Sequence, residues 1–327
     1  MTMAELQRRA DALAPWRYDH VVNGVVIKGM ADSAPIHGDF GRGRDVMAHI
    51  LQTVIGRRDP KALRALDLGC LEGHYTEVLA DVGVGDIVAV EWSDEHIARA
   101  RFVLNELKGC ANVSVVQGDV EDPMLLPSLG HFDIVILHGL LYHMRNPVAL
   151  MDRVARLARD GAPVILLLST QFKFPFSEIV DPTPLANIKV RKIAPRSDGR
   201  VQHETDRSVY APVAVRLNPA GVFGVLMSTG FRQLIAYDTP TGARYGFQLN
   251  IVASTKPDTA LLPALQNSGI PGLDFYAWDG RRLDGYDLRC LPSRLVARAG
   301  WALRHISERL GGSGARQTAR FNIHKGS

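Results

Sequence analysis

The stretch "ALDLGCLEGHYTEVLA", residues 65–80, joins an apolar run to a helix-like run through a glycine-containing turn. Nucleotide-binding α/β folds connect their first strand and helix in this way. Two acids set this turn apart: Asp67 precedes it and Glu72 lies inside it. A dinucleotide loop runs G-x-G-x-x-G and leaves a bare helix N-terminus for the pyrophosphate. Here the spacing is D-x-G-x-x-x-G through Asp67, Gly69 and Gly73, and Glu72 sits where a phosphate would be repelled. No Gly-Lys-Ser/Thr follows, which excludes a P-loop. A loop with two nearby carboxylates suits a cationic ligand with an ammonium group. Gly69 and Gly73 would let the backbone come close to it.

Outward from the loop, the chain from about Arg64 to Lys256 alternates apolar and amphipathic runs. "LRALDLG", "DIVAVEW", "NVSVVQGD", "FDIVILHG" and "PVILLLST" are short, rich in Val, Ile and Leu, and punctuated by Gly or Asp. Such runs predict strands buried on both faces, hence a parallel sheet. "GHYTEVLADVG", "SDEHIARARFVLNELKG" and "NPVALMDRVARLARDG" predict the helices between them. Ser93 stands at the N-cap of the second, and Asn146-Pro147 opens the third, which ends at Gly161. "FRQLIAYDT" and "YGFQLNIVAS", separated by a turn at Pro240-Thr241-Gly242, predict an antiparallel pair closing the sheet. The expectation is a doubly wound α/β fold with a mostly parallel seven-stranded sheet. An N-terminal cap segment (1–60) precedes the binding domain (61–256), and an extension (257–327) follows it.

Two further acids fall at strand ends. Glu91 closes the second strand, placed to accept both hydroxyls of a ribose, with Trp92 following. Asp119 follows the third, placed to accept from an adenine amino group, with Val120 beside it. S-adenosylmethionine, with its sulfonium, amino-acid end and nucleoside, fits the whole set. The predicted cofactor site is Asp67, Gly69, Cys70, Leu71, Glu72, Gly73, Glu91, Trp92, Asp119, Val120 and His138. The set resembles a class I S-adenosylmethionine-dependent methyltransferase, which would release S-adenosylhomocysteine (SAH).

"FDIVILHGLLYHMRNPVALM" is also similar to the "G-[VL]-L-Y-H-x-x-x-P" segment of the tRNA wobble-uridine carboxymethyltransferase family. The likeness continues over about residues 16–256. It implies that Tyr142 lies near the cofactor. That family reads the carboxylate of a carboxylated cofactor with a Trp- and Lys-bearing stretch, whereas "APIHGDFGRGRDVMAHI" holds Phe40 and Arg42 and neither Trp nor Lys. Ordinary S-adenosylmethionine is therefore expected, although Arg42 or Arg44 is a substitute cation. Methyl transfer needs an in-line nucleophile and often a base. His143 and His138, flanking "GLLY", are the candidates; cofactor contact and plain packing are the alternatives for them.

The segment 171–208 begins "QFKFPFSE", and its Phe172, Phe174 and Phe176 alternate, as would residues lining a pocket or lid. Phe40, Phe172, Phe174 and His203 are the candidate substrate residues; ordinary packing, or solvation for His203, is the other reading. In the extension, "DFYAWDGRRLDGYDLRC" reads as loop and "PSRLVARAGWALRHISERLGG" as an amphipathic helix. That helix would dock on this chain or a second copy, with membrane-surface and RNA contact as alternatives.

Composition sets the outer limits. The net charge of +4 permits nucleic-acid contact without demanding it. The 3 cysteines show no metal or redox spacing, so reduced thiols in the cytoplasm and no metal are expected. The first residues lack the apolar segment of a signal peptide, and no run approaches the roughly 20 apolar residues of a membrane span. Three functions remain: methyl transfer to a small biosynthetic intermediate, modification of a tRNA wobble uridine, and a cofactor-binding scaffold without activity. The intact loop and acids weigh against the last.

Overall fold

The computed structural model describes residues 2–29, 40–171, 189–192, 213–217, 219–238, 248–267 and 273–277. The main sheet comprises β3 (Arg64–Leu68), β4 (Asp86–Glu91), β5 (Val113–Gln117), β6 (Ile134–His138), β7 (Ile165–Gln171), β10 (Gln233–Asp238), β11 (Gln248–Ser254) and β12 (Asp274–Ala277). Their order is β12-β10-β11-β7-β6-β3-β4-β5. The five strands from β3 to β7 pair in parallel, and β11, β10 and β12 add antiparallel ladders beyond β7. The chain winds outward through β4 and β5, then returns to start β6 on the other side of β3. That reversal leaves a crevice at the carboxyl ends of β3 and β6, where open α/β sheets bind ligands.

Among the described residues the sheet has eight strands rather than the expected seven. "DFYA", read from sequence as loop, forms β12 on the edge beside β10. Leu261, Leu265, Leu273 and Phe275 join the core on one sheet face, so the packed unit extends past residue 256. The amphipathic helix expected further on, the Pro240–Gly242 turn, Phe172, Phe174, Phe176 and His203 lie outside the described residues.

Strand alternation decides which residues reach which layer. Leu66, Leu68, Val88, Val90, Val135 and Leu137 enter one core with α6 (Pro147–Ala155) and α7 (Pro219–Ser228). Ala65, Ile87, Ala89, Ile134 and Ile136 enter the other with α2 (Phe40–Ile55) and α3 (His74–Asp81). Asp67, Glu91 and His138 share the parity of this second set. All three therefore project toward the α3 side of the sheet.

The N-terminal segment forms α1 (Met3–Ala12) and a hairpin of β1 (His20–Val22) and β2 (Val25–Ile27). Asn23 and Gly24, with φ of 50° and 83°, make its two-residue turn, the Asn-Gly geometry that suits a twisted hairpin. α4 (Asp94–Arg101) passes into a π-helical turn at Phe102–Leu107 instead of running on as one helix. Trp16, Val25, Ile27, Phe102, Val103 and Leu107 form a separate small core under the hairpin. The indole of Trp16 donates to the Ala10 carbonyl at 2.8 Å, and Arg99 Nε donates to the Leu13 carbonyl at 2.8 Å. α2 instead packs against the sheet, so only the residues before it form a cap.

Candidate functional site

The glycine loop needs its glycines. Gly69 and Gly73 have φ of 74° and 86°, and a Cβ on Gly73 would lie 2.7 Å from Leu104 Cδ1. The Gly69 and Cys70 amides donate to the Val90 carbonyl at 2.8 and 3.1 Å, which pins the loop over the end of β4. Leu71 holds a strained φ of 52°, and its amide donates to Glu91 Oε2 at 3.0 Å. Glu91, at the end of β4, is thus tied to the loop that follows Asp67.

Asp67 is buried and accepts from Thr76 Oγ1 at 2.6 Å. Burial pushes its carboxyl up to about 7, with the Glu91 charge adding to it and the Thr76 hydroxyl working against it. A buried carboxyl held half-protonated near neutrality is poised to ionise beside an arriving cation. Burial also pushes Glu91 upward. The His96 ring, 3.8 Å away, and bonds from the Ser93 and Trp92 amides, at 3.1 and 2.8 Å, outweigh it and hold Glu91 below its ordinary value. Ser93 occupies the N-cap position of α4, yet its own side chain makes no cap bond. Cys70 is buried and its thiol is raised well above the usual range by burial, so it packs as an apolar group. Trp92 is exposed and Val120 is buried. Asp119 lies two residues beyond β5, and its Oδ1 accepts the Glu121 amide at 2.8 Å, so it also builds a turn.

The Glu72 carboxylate is buried and accepts the Arg17 amide at 2.8 and 2.9 Å and the Tyr18 amide at 3.1 Å. These bonds point it at the N-terminal segment, with Arg99 and His20 each 3.9 Å away. It anchors the N-terminal segment to the loop. Arg44, the substitute cation, donates to Glu77 at 2.6 Å and Asp81 at 3.3 Å, which commits it to α3. Of Phe40 and Arg42, only the place in the first turn of α2 is described.

The other side of the crevice follows β6. Tyr75 Oη lies 3.2 Å from His138 Nε2, and the two rings are 4.3 Å apart. Burial drives the His138 imidazole down to about 4, which keeps it neutral at physiological pH and makes it a weak proton acceptor. Gly139, with φ of 75°, turns the chain into a 3₁₀ turn at Leu141–His143. There the Tyr142 and His143 rings lie 4.1 Å apart. The small hairpin of β8 (Lys189–Lys192) and β9 (Val213–Arg216), from the expected lid region, packs its β9 backbone against this turn.

His74 and Tyr75, at the start of α3, were not among the residues expected at the site, whereas Trp16, Tyr18 and Phe40 of the N-terminal segment were expected to cover the cofactor. His74 stacks on Tyr18 at 4.3 Å, and burial, with Arg44 and His20 nearby, lowers it to about 3. The "HYT" after Gly73 was the available signal, since residues opening this helix must face the crevice.

His20 joins the cap to α3, with Nδ1 2.7 Å from Glu77 Oε1, while Glu72 and the His74 ring face it from the other side. Burial opposes its charge, but the Glu72 carboxylate 3.9 Å away and the bonded Glu77 carboxylate win and raise its pKa above 6.5. Glu77, despite burial, is drawn down to about 2 from 4.5 by His20 and Arg44. A raised histidine stabilises fully below 6.5 and loses its contribution as pH climbs through the raised value. A depressed carboxylate contributes fully above 4.5 and is lost as pH falls toward 2. The melting-temperature advantage of the wild type over His20→Asn should therefore be greatest between pH 4.5 and 6.5 and shrink at alkaline pH. A constant difference across that range would contradict the bridge.

A family model described as a methyltransferase domain matches residues 59–186. The crystal structure of the N-terminal domain of EvdMO1 with SAH bound is 27% identical, with a TM-score of 0.59, over 79% of this chain and 98% of that one. The ubiquinone biosynthesis O-methyltransferase of Xanthomonas axonopodis pv. citri is 31% identical over 116 residues, 36% of this chain and 47% of the relative. The tRNA U34 carboxymethyltransferase of Pseudoalteromonas translucida is 27% identical over 106 residues, 32% of each chain. The chain thus spans about half the length, or less, of these curated relatives. Among the described residues, no helix is long and apolar enough to cross a membrane, and no group of three or more His, Cys, Asp or Glu could hold a metal ion.

Proposed function

We propose that this chain is an S-adenosylmethionine-dependent methyltransferase acting on a hydroxyl of a small, sugar-like biosynthetic intermediate in the cytoplasm. The observation that carries the reading is the joining of Asp67 and Glu91 through one positive-φ glycine loop at the sheet's reversal point. Bound cofactor would supply a methyl on a sulfonium, which the acceptor oxygen displaces in line. Asp67 would meet its amino-acid end, Glu91 the ribose hydroxyls and Asp119 the adenine amino group. The EvdMO1 domain, also crystallised in the presence of SAH and D-fucose, supports a polyhydroxylated acceptor, and the Xanthomonas relative supports oxygen as the acceptor atom. The pairing of Arg44 with Glu77 and Asp81 favours a methyl over a carboxymethyl group, because a buried carboxylate needs a cation.

His143 is the proposed base. His138 is too weak an acceptor, held against Tyr75, and serves better as a wall of the cofactor site. The proton leaving the acceptor hydroxyl would pass to the His143 imidazole as the new O–CH₃ bond forms. His143→Gln should lower kcat about 10²–10⁴-fold while leaving SAH affinity unchanged. An unaltered kcat would remove His143 from the chemistry. Labelled-methyl transfer into fractionated metabolites and tRNA tests the acceptor: label entering tRNA alone would replace this reading with the wobble-uridine one.

A further inference from the structure

The N-terminal cap does more than cover the sheet. Trp16, Tyr18 and His20 alternate as buried residues along one short strap. Glu72, inside the glycine loop, receives the amides of Arg17 and Tyr18. Glu77, one helical turn into α3, receives His20. Two loop-helix carboxylates therefore clasp a strap from more than fifty residues earlier in the chain. Between these clasps Tyr18 stacks on His74, the first residue after Gly73. Tyr18 thus lies beside the glycine loop, held by Glu72 inside it and stacked on the first residue after it.

We propose that the strap is part of the cofactor site: Tyr18 contacts the bound cofactor beside the glycine loop, and Glu72 is the positioning residue that holds it there. A carboxylate suits the task because its charge makes the bonds from the two adjacent amides stronger than a neutral acceptor would. This use explains an acid inside the loop without asking it to touch ligand. It also predicts that strap and cofactor stabilise each other, since cofactor seated under Tyr18 is a ligand of the closed strap only.

The proposal rests on the S-adenosylmethionine reading, and two measurements on the full chain separate them. The first is limited trypsin cleavage after Arg17, whose side chain is exposed. Saturating SAH should slow that cut at least tenfold. An unchanged rate in a protein that binds SAH would overturn the strap proposal and leave the cofactor reading intact. A wild type that fails to bind SAH overturns both. The second is calorimetric titration of Tyr18→Ala and Glu72→Gln with SAH. Both should bind at least tenfold more weakly, and Glu72→Gln should keep the Arg17 cut fast even when saturated. Wild-type affinity in both variants would overturn the proposal.

Discussion

Glu91→Ala should weaken SAH binding roughly 10- to 150-fold, a loss of about 1.5–3 kcal/mol for hydrogen bonds to a charged acceptor. Glu91 ends β4, lies on the α3 face of the sheet, and is held below its ordinary pKa, so it is ionised wherever the protein is folded at neutral pH. The same carboxylate accepts the amides of Leu71, Trp92 and Ser93. Alanine would strand these donors and loosen the glycine loop as well as remove the ribose contact. Glu91→Gln separates the two effects, because it retains one acceptor oxygen for the loop. Calorimetry on both variants, with melting temperatures alongside, checks the claim. Affinity unchanged in Glu91→Ala would remove the ribose assignment.

Phe102→Ala should cost about 3–5 kcal/mol of stability, the usual range for emptying a fully buried phenylalanine site. Phe102 is completely buried, its ring lies 6.1 Å from Trp16, and the Arg9 guanidinium sits 5.5 Å above it. It belongs to the small core that attaches the cap to the π-helical turn. The ion pair of Arg9 with Glu106 and the bond from Asn23 Nδ2 to the Leu107 carbonyl, at 2.6 Å, are the other attachments there. The cap should therefore loosen before the sheet does, and urea denaturation would register the loss. A change below about 1 kcal/mol would mean that the cap is held mainly by Glu72 and Glu77.

The seven expected strands were legible because each couples a Val/Ile/Leu run to a Gly or Asp stop, and burial on both faces leaves little else for such runs to do. β12 was not, since its four residues form only an edge of the sheet and follow a Pro-Gly pair. The hairpin at 20–27 carried a signal in Asn23-Gly24 between valines, which the loop-centred reading passed over. In the candidate site, the places of Asp67 and Glu91 at the ends of β3 and β4 were legible from strand alternation alone. The bonds of Glu72 to the Arg17 and Tyr18 amides were not legible, because backbone amides are supplied by every residue but proline and no sequence pattern marks them. The Tyr75–His138 pair joins residues 63 apart through the register of β3 and β6, and only the fold reveals it.

The most direct test of the cofactor site is a calorimetric titration of the full chain at pH 7 with SAH and with NAD, run in two buffers of different ionisation heat. SAH should bind once per chain. Because Asp67 is half-protonated near pH 7 and an ammonium would pull it into its ionised form, binding should release protons to the buffer. NAD, with its pyrophosphate facing acids, should give no heat. Binding of NAD in place of SAH would contradict the account at its root.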